Sequence, residues 1–206
     1  MNSWHLRTAN EQRAINFNTH AVLGGVFTAA ECRTIIELGT KRFPVVDADL
    51  AGSTAGVKPP SNSETIRKGH VSWINPEDAE VAWIYQRCTA AVLQVNNFDW
   101  QFDLDYITPL QFTCYDQIGD HYNWHTDTGL NIDVSYRKLS FSIQLSHPHA
   151  YEGGELELSI GPEATQMPRE QGIFVAFPSM ITHRVRPITR GERYSLVGWV
   201  SGPRFR

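Results

Sequence analysis

Residues 139–146 read Leu-Ser-Phe-Ser-Ile-Gln-Leu-Ser. Leu139, Phe141, Ile143 and Leu145 alternate with Ser140, Ser142, Gln144 and Ser146, the period of two of a strand with one apolar and one polar face. The same period sets in at Gln111, where residues 111–123 read as the first strand-like segment, and recurs downstream, where Glu155 and Glu157 alternate with Leu156, Leu158 and Ile160. Ile173–Phe177 is continuously apolar and closed by Pro178, which predicts an interior strand. His183–Ile188 and Tyr194–Val200 flank Thr-Arg-Gly-Glu, a hairpin turn signal. Short strands between Gly/Pro turns predict a β-sandwich or jelly roll. Either face of the 139–146 strand could look inward, so Ser140, Ser142 and Gln144 suit a cofactor pocket and solvent equally.

Upstream the period is helical. Thr28-Ala-Ala-Glu31 reads as a capping box, followed by Cys32, Ile35, Ile36 and Leu38, with Gly39 as the stop. A second helix is predicted from Asn75, its cap, with Pro76 in the first helical position, to about Asn96-Asn97. Val81, Ile84, Tyr85, Cys88, Val92 and Val95 mark its buried face. Both helices should cover one sheet. The Gly-, Pro- and Ser-rich stretch 47–70 between them has no periodicity and reads as a long loop, with Val57–Trp73 a candidate lid. Trp199 should be core, sharing an inward face with Arg193, Ser195 and Val197.

The chain has 206 residues, with 18 Lys+Arg against 22 Asp+Glu and a net charge of −4. That suits one domain over residues 1–206 and argues against a nucleic-acid binder, which needs a basic face. There is no apolar run of about 18 residues and no apolar secretory stretch at the N-terminus, so no membrane partner is expected. Cys32, Cys88 and Cys114 form no CxxC, which favours a reducing, cytoplasmic setting over a disulfide scaffold.

The chemistry-bearing residues lie in the strand-rich half. In Trp124-His125-Thr126-Asp127 an extended backbone puts His125 and Asp127 on one face, their Cα atoms about 6.6 Å apart. His183 follows a buried strand. Two histidines and a carboxylate are the facial ligand set of non-haem Fe(II) oxygenases. Arg193 and Ser195, two apart on one strand face, offer a guanidinium fork and a hydroxyl to the distal carboxylate of a dicarboxylic acid. With 2-oxoglutarate as that acid, the charges of Fe(II), Asp127, the acid and Arg193 sum to zero, as a dry site demands. His121, four before His125, is expected at the surface or behind the ligands. His147 and His149 bracket Pro148 in a solvated turn.

Tyr115, Gly119, Tyr122, His125-Thr-Asp127, Tyr151-Glu-Gly-Gly-Glu155-Leu, Phe177-Pro-Ser179, His183-Arg-Val and Arg190-Gly-Glu-Arg193-Tyr-Ser195 follow in order. Together they resemble the prolyl 4-hydroxylase-type Fe(II)/2-oxoglutarate dioxygenases, most nearly the PKHD-type relatives, strongly over residues 106–203. The resemblance implies a mainly β (α+β) chain: a double-stranded β-helix, or jelly roll, with N-terminal flanking helices packed on one sheet. Residues 1–105 would be helical support and lid loop, and 106–206 the catalytic β core. It implies His125, Asp127 and His183 on iron, and Arg193 with Tyr115 on the distal carboxylate of 2-oxoglutarate, where Ser195 also belongs. Cofactors would be Fe(II) and 2-oxoglutarate, with O2 as co-substrate; ascorbate dependence is a further implication. Because Asp127 fills a position that a halogenase leaves to chloride, hydroxylation is expected. Prolyl or other peptidyl side chains are the leading substrate, a free amino acid or other small molecule the competitor. A non-catalytic jelly-roll module holding Zn structurally is disfavoured by the Arg193/Ser195 pair, since structural zinc wants a closed fourth ligand.

Overall fold

The computed structural model describes residues 18–48, 66–129 and 136–203. Fifteen strands among them run β1 (Ala21–Leu23), β2 (Val46–Asp47), β3 (Arg67–Lys68), β4 (His70–Ile74), β5 (Tyr106–Ile107), β6 (Leu110–Tyr115), β7 (His121–His125) and β8 (Arg137–Gln144). They continue with β9 (Tyr151–Gly153), β10 (Leu156–Leu158), β11 (Thr165–Gln166), β12 (Phe174–Pro178), β13 (His183–Val185), β14 (Ile188–Gly191) and β15 (Arg193–Ser201). The helices are α1 (Ala29–Glu37) and α2 (Ala82–Val95). The larger sheet has the order β1-β12-β8-β15-β6-β4-β2, with β5 on β15; the smaller is β11-β10-β13-β7-β3, and β14 pairs with β9. All pairings are antiparallel. The expected jelly roll is present, with both helices on one face of the larger sheet.

Alternation decides which residues meet which layer. On that sheet Leu110, Phe112, Leu139, Phe141, Ile143, Phe174, Ala176 and Leu196 join Ile35, Ile84, Cys88 and Val92 of the helices in the main core. Residues one step out of phase, among them Gln111, Thr113, Tyr115, Ser140, Ser142, Arg193, Ser195 and Trp199, line a cleft between the sheets. The apolar side of these strands therefore faces the helices, and the polar side faces inward. This settles the open question for Ser140 and Ser142, and Gln144 is buried beside them. β12 has no polar phase because both its faces are covered: Phe174 and Ala176 by the main core, Val175 and Phe177 by Leu158 and Met167. Each fully buried large apolar side chain contributes roughly 1.5–3 kcal/mol, so this double coverage fixes β12 as an interior strand.

The Thr28 box forms: its N–H donates to the Glu31 carboxylate at 2.8 Å, and its hydroxyl accepts from the Glu31 N–H at 3.2 Å. Gly39 does not stop the chain's winding, which continues as a π turn through Arg42. Its smallness answers instead to packing, since a Cβ there would lie 2.3 Å from Phe112 Cγ. The second helix begins later than its sequence signals suggest. Asn75 accepts from the Glu77 N–H at 3.1 Å and closes a turn, while Asp78 caps a 3-10 turn that leads into α2. α2 ends at Val95, and a π turn then runs to Trp100 and closes on Gln101 in the left-handed region (φ 54°).

Three other expectations are corrected. Residues 111–123 are two strands, not one, separated by a turn in which the Asp120 carboxylate accepts from the N–H groups of Asp116 and Gln117. The Thr-Arg-Gly-Glu segment does not close a hairpin between its flanks. β13 belongs to the smaller sheet and β15 to the larger, and residues 188–191 are themselves a strand paired with β9. The loop reading of 47–70 fails at both ends, where β2, β3 and β4 add to the two sheets. The end of the candidate lid, 67–73, is thus strand apart from the bend at Gly69, and its residues 57–65 lie outside the described residues. No described helix is long and apolar enough to cross a membrane.

Candidate active site

His125 ends β7 and His183 begins β13, and the two are direct cross-strand partners. Asp127 follows two residues after His125, its N–H donating to Ser179 O at 3.0 Å. The three side chains converge: Asp127 Oδ1 is 3.6 Å from His125 Nε2, and Oδ2 is 3.4 Å from His183 Nε2. Each Nδ1 faces a backbone carbonyl two residues earlier, His125 to Asn123 O at 2.7 Å and His183 to Ile181 O at 2.9 Å. A carbonyl only accepts, so both Nδ1 atoms carry the hydrogen and both Nε2 atoms present a lone pair. That is how a metal-binding imidazole is oriented.

The electrostatics agree. Burial, reinforced by His183, pushes the His125 imidazole down to about 4. For Asp127 burial acts upward, but His183, His125, the Ser140 hydroxyl and the Trp199 indole outweigh it and hold the carboxyl below its ordinary range. Neutral imidazole beside ionised carboxylate is the state a divalent cation requires.

A β-bulge explains how this wall holds another ring. His183 pairs with His125 but Val185 pairs with Tyr122, so β7 carries one residue more than its partner. The extra residue lets Tyr122 and His125, three apart, both face the cleft, stacked with ring centroids 3.5 Å apart. Strict alternation hides Tyr122, and bulges of this kind recur beside active sites. His121 stays outside the cleft, its Nδ1 2.8 Å from Gly119 O. Exposed His147 and His149 sit in their turn as expected. Trp124 packs under Arg184, 4.5 Å from guanidinium carbon to ring centroid, away from the cleft.

Deeper in, Arg193 and Tyr115 are register partners on β15 and β6, the guanidinium carbon 5.6 Å from the phenol centroid. Arg193 is 3% exposed, donates to the Ser195 hydroxyl at 3.2 Å, and has no carboxylate in ion-pair reach among the described residues. A buried guanidinium without a counter-ion is costly, so the site is suited to an incoming anion. Burial raises the Tyr115 phenol, against the pull of Arg67 and Arg193, so it remains an O–H donor. The second glycine of Tyr151-Glu-Gly-Gly backs this corner: a Cβ on Gly154 would meet Ile188 Cδ1 at 2.5 Å and Arg193 Cδ at 2.9 Å. Arg67, which sequence reasoning passed over inside its loop, is a second buried cation in the cleft. It donates to Gln111 Oε1 at 2.7 Å and lies 4.6 Å from the Tyr122 centroid. The cleft is partly open to solvent. Trp199 lines its wall, with the Arg137 guanidinium 4.1 Å from its ring.

Comparisons with known proteins bear on this geometry. Residues 110–201 match the family model of the 2OG-Fe(II) oxygenase superfamily. A PKHD-type hydroxylase of a Synechococcus sp. is 38% identical over 99 residues, 46% of this chain and 43% of that protein. One from Hyphomonas neptunium is 38% identical over 103 residues, 46% of each chain. The matched stretch is therefore less than half the length of either relative. Among solved structures, a Pseudomonas putida prolyl-4-hydroxylase superposes with TM-score 0.66 at 23% identity, covering 90% of this chain and 93% of that one. A Trichoplax adhaerens prolyl hydroxylase, bound to a fragment of hypoxia inducible factor, gives TM-score 0.72 at 16% identity, covering 91% and 85%. These likenesses carry the jelly-roll fold. The sequence match carries more: residues 110–201 are similar to the core of the 2OG-Fe(II) oxygenase superfamily, a family that implies Fe(II) and 2-oxoglutarate.

Proposed function

We propose that the protein is an Fe(II)/2-oxoglutarate-dependent hydroxylase of peptidyl side chains, with prolyl residues first among them. The observation that carries the reading is the pairing of two features in one cleft: a His-Asp-His triad with both Nε2 atoms free, and a buried guanidinium without a counter-ion. His125, Asp127 and His183 would hold the iron, which with 2-oxoglutarate supplies O2-driven hydroxylation of an unactivated C–H bond, releasing succinate and CO2. The protein's part is positional. The carbonyls of Asn123 and Ile181 fix the two imidazoles. Arg193, with the hydroxyls of Ser195 and Tyr115, binds the distal carboxylate. Phe177 and Trp199 line the cleft and would limit the access of water to it.

The peptidyl substrate is supported by the likeness to solved prolyl hydroxylases. A second reading, a small carboxylic or amino acid as substrate, draws on Arg67, a buried cation in the same cleft with no carboxylate in reach among the described residues. The experiment is 2-oxoglutarate turnover to succinate with Fe(II), alongside a mass search for one added oxygen on prolyl peptides and on free amino acids. Asp127→Ala should abolish turnover and Arg193→Ala should raise the 2-oxoglutarate requirement. Unaltered turnover in both variants overturns the reading, and oxygen gained only by a small acid replaces the peptide with the second.

A further inference from the structure

A second convergence of metal-type ligands lies on the opposite face of the larger sheet. Antiparallel register sets Asp47 against His70, His70 against Cys114, and Cys114 against Tyr194, a row across β2, β4, β6 and β15. Asp116 stands two residues beyond Cys114. One donor atom from each of His70, Cys114 and Asp116 lies within 4.8 Å of the others, the same closeness that marks His125, Asp127 and His183. We propose that His70, Cys114 and Asp116 form a second metal site, separate from the oxygenase centre, that takes a borderline divalent cation of the zinc type.

The ligand chemistry selects the ion. Thiolate, imidazole and carboxylate together suit zinc, whereas an all-oxygen site suits calcium or magnesium. Tetrahedral zinc at about 2.0–2.3 Å from each donor sets the donors roughly 3.3–3.8 Å apart. His70 Nδ1 and Asp116 Oδ1 are already 3.2 Å apart. That Oδ1 is buried and makes no directed hydrogen bond among the described residues; the His70 ring and the Cys114 thiol beside Asp116 are the groups a cation would join to it. The other imidazole nitrogen, Nε2, is 3.6 Å from Asp47 Oδ1, the carboxylate–histidine arrangement that orients a ligating ring. Burial, with Asp116, Glu192 and Asp120 around it, pushes the Cys114 thiol up to about 12. Such anionic surroundings suit a bound cation and oppose a bare thiolate. Binding replaces the S–H bond with a metal–sulfur bond and releases the proton to solvent. His70 and Asp116 are each about a third exposed, which leaves an entry path.

Cobalt(II) reads the site directly, because sulfur ligation gives a near-ultraviolet thiolate-to-cobalt charge-transfer band and the oxygenase triad contains no sulfur. Cys32 and Cys88 belong to no cluster of possible ligands among the described residues, so they do not supply it. The full chain carrying Asp127→Ala, which weakens the oxygenase centre, is titrated with cobalt. The expected result is one equivalent with the charge-transfer band, displaced by zinc and absent after Cys114→Ser. His70→Asn, a change at a partly exposed position, should weaken the cobalt affinity at least tenfold in a protein of unchanged circular dichroism, and it decides the matter if Cys114→Ser does not fold. No charge-transfer band, or a band and affinity unmoved by these substitutions, overturns the site. The outcome is independent of the oxygenase reading, since neither readout involves turnover.

Discussion

His125 and His183 face each other across paired strands with ring centroids 4.1 Å apart, each held by a carbonyl two residues upstream on its own chain segment. Proximity and burial both penalise a charged imidazole, so His125 is pushed down to about 4 from 6.5. Between those values the unfolded chain binds a proton that the folded one does not. Stability of the metal-free protein is thus fully present above pH 6.5 and is lost progressively as pH falls toward 4. Thermal melts in chelator should show a lower Tm at pH 4.5 than at pH 7, with a flatter dependence in His125→Asn. An imidazole resonance for His125 titrating near 6.5 would contradict this.

Arg193 makes no side-chain hydrogen bond except to the Ser195 hydroxyl and no ion pair among the described residues, so its removal should act chiefly on the anion. Hydrogen bonds to charged groups are worth about 1.5–3 kcal/mol, or roughly 10- to 150-fold in affinity. Arg193→Ala should raise the KM for 2-oxoglutarate by that factor while cobalt or iron binding at the triad stays intact. Arg193→Lys keeps the charge but not the fork and should fall between. Steady-state kinetics over 2-oxoglutarate concentration measure both.

Gly154 tests the same corner from behind. It sits at φ +65°, and an added methyl would press Ile188 and the Arg193 stem. Gly154→Ala should lower Tm and raise the KM for 2-oxoglutarate, with metal affinity unchanged because His125, Asp127 and His183 line another wall. A variant that loses Tm but keeps the wild-type KM would show that the strain is absorbed at Ile188.

Much of this was readable from local pattern. The alternation in 139–146 marks a strand, the Thr28 box a helix start, and the spacing of His125, Asp127 and His183 a ligand set whose side chains do converge. What escaped reading depends on partners distant in sequence. Tyr122 enters the cleft through a bulge defined only by its pairing with β13. Arg67 enters because two residues of an aperiodic stretch pair with Tyr122 and His121, and two residues are too few to show a period. The polar face of β8 looks inward, not to solvent, because the helices claim the apolar face, and no single strand carries that information.

Gly39 offers the sharpest test of how those helices meet the sheet. Opposite it, the Phe112 ring is 1% exposed and stacks on Tyr194 with centroids 5.7 Å apart. Alanine there gains up to about 1 kcal/mol of helical propensity, but its methyl would lie 2.3 Å from Phe112 Cγ. Overpacking a closed core costs about 1–3 kcal/mol, and the ring has no solvent side into which to retreat. The clash should therefore win, lowering Tm by roughly 2–4 °C per kcal/mol of net loss in a chain of this size. Phe112→Leu alone should also destabilise, by opening a cavity. Combined with Gly39→Ala it should recover part of the loss, giving a favourable coupling in a double-mutant cycle. Additive losses would mean that the two residues do not share the contact, and that Gly39 is small for the sake of the π turn alone.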